Sequence, residues 1–328
     1  MLQNKDLLQN RKNLLAFSAG VDSTALLFLL LENKIPFDIA IVDYGVREES
    51  KEELAYAQTL AKRYNFTCYT HQSHSIKKNF EATARTVRYD FFEKLIVRHQ
   101  YQNLLTAHHL GDRFEWMLMQ FCKGSGCVSL SGMKAVEKRN HYKLIRPLLH
   151  LDKSELLHYL DRQKHHYFLD ATNQDEKYKR NEFRHKHTVP LLEKYLNGIK
   201  KSFEYIDEDV SDLIKEIELK ECNDLTYFKR VHDSRSEVSV IDRYFKSQGK
   251  VLSAHERELL RDETSVVIGR KFIVSKTATY TFIAPFIKQT KMSKVFKEKM
   301  RLLKVDSKLR GYLASDEEAV ALVSLLLQ

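Results

Sequence analysis

Up to about Pro190, short runs rich in valine, isoleucine and aromatic residues alternate with longer stretches of helical periodicity, and this alternation limits the fold more than any other feature. The runs lie at Leu14 to Phe17, Asp38 to Val42, Phe66 to Thr70, Asn103 to Ala107 and Lys143 to Ile145, and Ser50 to Tyr64 and Phe80 to His99 are among the helical stretches between them. Strands that take turns with helices pair in parallel, because each return to the same end of the sheet needs a crossover, and the crossover helices then cover both faces. The expectation is an α/β chain with a Rossmann-like, parallel-sheet nucleotide-binding domain. Such a sheet takes its ligand at the carboxyl ends of its strands. The residues to read most closely are therefore Ser18 to Ser23, Asp43 to Arg47, His108 to Glu115 and Arg146-Pro147. Beyond Pro190 the alternation stops. Leu191 to Glu221 is a charged helical stretch broken only by Gly198, and from Asp224 onward helices mix with a hairpin at Ser265 to Ile283. With 328 residues to distribute, the expected organisation is a catalytic domain over 1–195, a helical connector over 196–223 and a smaller α+β domain over 224–328.

The first strand ends in SAGVDS, residues 18 to 23. A strand, a glycine turn and a helix start bring free backbone N–H groups and the positive helix end onto an anion, most often a phosphate. Gly20 suits the tight turn, and Ser18 and Ser23 add hydroxyl donors. Asp22 would repel a phosphate unless a divalent cation stood between them, as in a magnesium nucleotide, so the segment points to Mg²⁺-ATP. No lysine follows, which disfavours the Walker-type loop. On these six residues alone, a plain helix N-cap explains Asp22 and Ser23 equally well.

SAGVDS closely resembles the SGGxDS loop of the PP-loop ATP pyrophosphatases, with Ala19 in place of the first glycine. VDYGVREES, NFEATARTVRYDFF, LLTAHHLGDRFEWMLMQFCKGSG, IRPLL and DATNQDEKYKRNEFRHKHTVP resemble, in order and spacing, segments of the bacterial tRNA(Ile)-lysidine synthetases, over roughly residues 10 to 195. The resemblance implies ATP-dependent ligation of L-lysine to the wobble cytidine of the isoleucine tRNA with a CAU anticodon, through an adenylated cytidine, with release of AMP and pyrophosphate. It also implies that Ser18, Ala19, Gly20, Val21, Asp22 and Ser23 hold ATP, with Asp22 meeting Mg²⁺ through the nucleotide. Three positions depart from the family pattern: Tyr44 stands for a histidine, Gly111 for the first of two paired aspartates, and Trp116 for a threonine.

The chemistry can also be argued from the reaction. A cytosine oxygen leaves poorly until it carries an adenylate, and the amine that displaces AMP must first lose a proton, its reference pKa being about 10.4. Asp112 and Glu115, three apart at the start of the helix after strand NLLTAHH, share one face at the ligand end of the sheet and are assigned to lysine and metal handling. A solvated acid pair favoured by the helix dipole is the plain alternative. Asp43 and His109 lie in the strand-end segments and are candidates for substrate contact. Arg85 and Arg88 could neutralise phosphate, as the resemblance implies. Asn173, Arg180, Asn181 and Arg184 satisfy the family's N-x(6)-R-N-x-x-R spacing, with guanidinium forks suited to phosphate or base edges, so Arg184 joins Asp22, Asp112 and Glu115 as catalytic and the other three as substrate-binding.

Composition narrows the partners. Lys and Arg number 54 against 44 Asp and Glu, consistent with a polyanionic partner. Between Phe286 and Arg310 nine basic residues face two acidic ones. Lys294, Lys297, Arg301, Lys304 and Lys308 recur at helical spacing as one basic face, of which Lys297, Arg301 and Lys304 are candidates for gripping tRNA. The longest apolar run, Ala25 to Leu31, is too short to span a bilayer. A cytoplasmic protein with no membrane partner is expected, and a homodimer is left open. Cys68, Cys122, Cys127 and Cys222 form no C-x-x-C pair, which weighs against the main alternative, a tRNA thiolase that needs catalytic or cluster-binding cysteines. A small-molecule synthetase and a non-catalytic RNA-binding protein are the other competing classes.

Overall fold

The computed structural model describes residues 1–45, 49–73, 80–169, 179–288 and 291–328. It divides into two compact units, Met1–Ile206 and Asp207–Gln328.

In the first unit the chain runs α1 (Lys5–Leu8), β1 (Asn13–Ala16), α2 (Val21–Glu32), β2 (Asp38–Asp43), α3 (Glu49–Tyr64), β3 (Cys68–Gln72), α4 (Phe80–His99) and β4 (Asn103–Leu105). It continues through α5 (Leu110–Phe121), α6 (Cys127–Ser131), β5 (Val136–Lys138), β6 (Lys143–Ile145), α7 (Lys153–Gln163) and α8 (Lys179–Phe183), then a π-helical turn over Arg184–Thr188 and α9 (Val189–Leu213), whose residues from Asp207 onward belong to the second unit. The six strands form one sheet in the order β3-β2-β1-β4-β6-β5. All neighbours are parallel except the edge strand β5, which runs antiparallel to β6. Successive side chains of a strand face opposite ways, and the two cores show it. Leu15, Ile39, Leu105 and Ile145 pack with α2, α3 and α7 on one side, while Leu14, Ala40, Leu104 and Leu144 pack with Phe92, Leu95 and Ile96 of α4 on the other.

β1 adjoins both β2 and β4, so the chain reverses its direction of winding there. The loops after β1 and after β4 flank this switch point, where an open parallel sheet has its ligand crevice.

The second unit holds β7 (Lys220–Cys222), β8 (Leu225–Lys229), α10 (Ser234–Ser247), α11 (Ala254–Asp262), β9 (Ser265–Ile268), β10 (Phe272–Lys276), β11 (Tyr280–Pro285), α12 (Lys294–Leu302), α13 (Ser307–Leu313) and α14 (Glu317–Leu327). Its antiparallel sheet, ordered β7-β8-β11-β10-β9, is also covered twice. Phe228, Val274 and Ile283 meet α10 and α11, and Leu225, Ile273 and Phe282 meet α12, α13 and α14.

Three local expectations change. The expected helix to Glu221 stops at Leu213, and its last residues form β7. The expected hairpin Ser265 to Ile283 is a three-stranded meander, because a second turn at Thr277, whose hydroxyl bonds Tyr280, adds β11. The single basic helix breaks after Leu302: Lys304 takes φ +54°, Val305 is buried, and Asp306 caps α13 by accepting from the Lys308 N–H at 2.8 Å.

Candidate active site

The loop after β1 is built around the serines. Ser23 Oγ accepts from the Ser18 N–H at 3.2 Å, lies 3.1 Å from Ser18 Oγ and donates to the Gly20 carbonyl at 3.3 Å. Expectation and structure differ on which residue makes the turn. Gly20 is extended (φ −75°, ψ 171°), whereas Ala19 holds φ +58° and is fully buried. The left-handed bend thus falls on a residue with a Cβ, a strain of about 1–2 kcal/mol. It is maintained by packing in the core and by the Phe168 N–H, which donates to the Ala19 carbonyl at 3.0 Å.

Asp22, in the first turn of α2, keeps 31% of its side-chain surface. Its Oδ1, however, is enclosed and has no hydrogen-bond partner, and Oδ2 lies 3.8 Å from His109 Nε2. Burial raises its pKa, Asp112 adds to the rise, and His109, Lys153 and Arg184 oppose it. A carboxylate with an unused, enclosed oxygen at a helix N-terminus suits a cation that arrives with a phosphate.

From the other side of the crevice comes α5. His109 is its N-cap: Nδ1 accepts from the Gly111 N–H at 3.0 Å, and Asp112 Oδ2 accepts from the His109 N–H at 3.1 Å. With Nδ1 accepting, the ring proton sits on Nε2, which lies 3.8 Å from Asp22 and 3.7 Å from Asp112. Gly111 is what lets the ring lie there, because a Cβ at 111 would come within 2.7 Å of His109 Cε1. The departure from paired aspartates is therefore tied to the histidine cap.

Asp112 and Glu115 share one face, as their spacing predicts, and both meet arginines from α8 and the π-turn. Arg180 Nε donates to Glu115 Oε1 and its Nη2 to Asp112 Oδ1 at 3.4 Å. Arg184 Nε donates to Glu115 Oε2 at 2.8 Å and its Nη2 to Asp112 Oδ1 at 3.1 Å. Burial works against the charged form of Asp112, yet His109, His108, Arg184 and Arg180 together hold its carboxyl well below the usual range. Glu115 is 1% exposed, and in this arrangement it has no surface left for an incoming amine. His108 turns away to Thr106 Oγ1 at 2.9 Å, and burial lowers its pKa to about 4, so it is neutral at pH 7.

The remaining candidates are dispersed. Asp43 ends β2 and accepts from the Gly45 N–H at 2.8 Å. Arg85 and Arg88 are exposed on α4, Arg85 lying 4.8 Å over the Tyr89 ring. Tyr44, the second departure, donates to the Ala84 carbonyl at 3.1 Å and so ties the end of β2 to α4. Asn181 is half-buried on α8. Asn173 lies outside the described residues. Lys297, Arg301 and Lys304 are exposed in the second unit, with Arg301 held by Glu298 at 2.6 Å. Two contributors lie away from the strand ends. Lys153, whose charge acts on Asp22, opens α7 within a capping box of Asp152 and Glu155, and the D-K-S-E pattern was a usable signal. Phe168 pairs with the loop through its backbone, which no residue type reveals.

Residues 1–191 match the family model described as PP-loop domain. Over 311 residues the chain is 40% identical to the tRNA(Ile)-lysidine synthase of Helicobacter pylori J99, covering 94% of this chain and 90% of that protein. It is 41% identical over 312 residues to the enzyme of the same name from Wolinella succinogenes, with 95% of each chain covered. Among solved structures it resembles the U34-tRNA thiolase NcsA from Methanococcus maripaludis with its [4Fe-4S] cluster, at TM-score 0.54 and 18% identity, over 68% of this chain and 80% of that one. At that identity the likeness shows the fold alone. Matched by domain and by identity over nearly its full length, the chain belongs to the tRNA(Ile)-lysidine synthase family, ATP-using carbon–nitrogen ligases built on the PP-loop fold.

Proposed function

We propose that the chain joins L-lysine to the wobble cytidine of an isoleucine tRNA with a CAU anticodon in the cytoplasm, using ATP and Mg²⁺. The observation that carries this reading is the placing of His109 Nε2 within 4 Å of both Asp22 and Asp112 at the crevice, with two arginines on Asp112. The backbone from Ser18 to Ser23 and the start of α2 offer N–H groups to the β- and γ-phosphates of ATP. Asp22, with its enclosed and unused Oδ1, would hold the Mg²⁺ that arrives with the nucleotide, and the ion would supply charge neutralisation there. Among the described residues no group of three or more His, Cys, Asp or Glu could hold a metal by itself, which fits a cation delivered with the nucleotide.

His109, Asp112 and Glu115 then have distinct duties. Glu115 positions Arg180 and Arg184, whose partly exposed guanidiniums are set to receive phosphate or base edges. His109 holds its Nε2–H toward Asp22. Asp112, ionised at neutral pH and less enclosed than Glu115, is the acid assigned to the lysine ammonium. In the first step the cytosine oxygen attacks the α-phosphorus and pyrophosphate leaves. In the second the lysine amine attacks the activated ring carbon, AMP leaves, and the amine proton passes to a carboxylate or to solvent. Asp43, Arg85, Arg88, Asn173 and Asn181 complete the substrate surface of the first unit, and Lys297, Arg301 and Lys304 give the second unit an RNA-phosphate grip.

A thiolase carrying a cubane cluster draws on several cysteine ligands. Cys122 is exposed and Cys127 half-buried as free thiols. Incubation with ATP, labelled lysine and bulk tRNA tests the proposal. Label in tRNA with stoichiometric AMP supports it, and sulfur incorporation or the absence of lysine transfer overturns it.

A further inference from the structure

We infer that Trp116 is a stacking platform for an unpaired base of the RNA loop, next to the nucleotide that reacts. The inference rests on the proposed function only in taking RNA as substrate. Trp116 is the chain's one tryptophan. It follows Asp112 by one helical turn on α5, which puts their Cβ atoms roughly 5–6 Å apart. Even so, 43% of it is exposed. Part of its large apolar face is thus open to a partner on the rim of the site.

Its seat is built. Gly132 takes φ +71° and ψ −128°, a conformation that essentially only glycine enters. A Cβ there would lie 3.1 Å from Trp116 Cδ1, so the indole edge rests on bare backbone. That backbone is itself pinned, since the buried Arg113 donates from Nε to the Ser131 carbonyl at 2.9 Å and lies 4.2 Å over the Phe203 ring.

The surroundings identify the occupant. From Trp116 to Ala135 the chain has two lysines, Lys123 and Lys134, both exposed, and no acidic residue. Phe121 and Val128 in the same segment are exposed as well. Exposed aromatic side chains in a segment that carries lysines and no acid suit single-stranded nucleic acid, whose bases stack on rings while its phosphates meet cations. Stacking is tolerant of sequence. Trp116 therefore holds the loop splayed so that its neighbour reaches the crevice, and discrimination among bases is left to other groups.

Being alone, the tryptophan reports on itself. A stem-loop RNA carrying the CAU anticodon arm is titrated into the full chain while tryptophan emission is followed, with filter binding in parallel, for wild type, Trp116→Phe and Trp116→Leu. Leucine keeps an apolar contact with Gly132 but lacks a π-face. The expected result is quenching with the same midpoint as filter binding, roughly 5- to 150-fold weaker binding for Trp116→Leu, and most of the affinity retained by Trp116→Phe. The slope of log affinity against log salt should not change, because every cation that meets a phosphate is still in place. RNA binding with unchanged emission and an unaffected Trp116→Leu variant overturns the platform. Emission that changes with protein concentration alone would assign the patch to self-association and also overturn it. If wild type fails to bind the RNA in the filter assay, the proposed function falls first and this inference with it.

Discussion

Replacing Asp22 with asparagine should sharply lower turnover and, at the same time, stabilise the nucleotide-free protein. The enclosed Oδ1 has no hydrogen-bond partner among the described residues, and Oδ2 lies 3.8 Å from His109 Nε2, beyond hydrogen-bond reach. An unsatisfied buried acceptor costs about 1–3 kcal/mol. The 31% of side-chain surface that remains, with the fields of His109, Lys153 and Arg184, recovers part of that, leaving a net cost of about 1 kcal/mol after solvent screening. An amide of the same shape is cheaper to bury than a carboxylate. In a unit of this size the gain corresponds to roughly 2–4 °C in Tm. The pH dependence carries a sign. Burial, reinforced by Asp112, raises the folded pKa of Asp22 above its ordinary value of 3.8, so its contribution to stability is most favourable below 3.8 and declines as pH rises through the folded value. The advantage of Asp22→Asn should thus be absent near pH 3.8 and complete at neutral pH. Thermal melts at several pH values, with and without Mg²⁺-ATP, measure this directly: nucleotide should raise the Tm of wild type and do little for the variant, while turnover falls on the order of 100-fold or more. A variant that melts below wild type in nucleotide-free neutral buffer would refute the reasoning, and near wild-type pyrophosphate release would remove Asp22 from the site.

Glu115→Gln turns an amide N–H₂ toward a guanidinium and forfeits one charge-assisted bond. It should cost about 1–3 kcal/mol in urea unfolding, and an unchanged midpoint would show that Arg180 and Arg184 are held by other groups. Gly111→Ala places a Cβ 2.7 Å from His109 Cε1, so the ring should leave its cap at about 0.5–2 kcal/mol; unaltered His109 imidazole resonances would contradict the tie between the two residues. Changing Lys297, Arg301 and Lys304 together to glutamine should lower the salt slope of tRNA binding by roughly 0.7–0.9 for each phosphate that is no longer neutralised, while the maximal rate stays near wild type, and an identical slope would mean these cations face only water. Replacing all four cysteines with serine should leave lysine transfer intact, because the nucleophile is an external amine. Loss of activity in a protein that still shows its native circular dichroism would favour thiol chemistry instead.

Local pattern was enough to show the parallel sheet, because buried parallel strands read as short apolar runs and the crossovers as helical periods, and both signals survive in a single sequence. It also located the loop and the acid pair, since a strand end and a helix start are set by neighbours in the chain. Only the tertiary structure decided what those groups meet. Strand order brings β1 beside β4, and so Asp22 beside His109, although no spacing in the chain links them. The same is true of Arg180 and Arg184, which close on Asp112 and Glu115 from far along the sequence and occupy the acids that the residues alone had offered to lysine. The burden of the left-handed turn fell on Ala19 rather than Gly20, because core packing and the Phe168 hydrogen bond fix that backbone more strongly than intrinsic preference does. And the basic stripe that periodicity drew as one helix is cut at Lys304, where burying Val305 and capping α13 with Asp306 outweigh another turn of helix. Periodicity records which residues would share a face if the helix continued, and the balance of burial and capping that ends it is settled only in the folded chain.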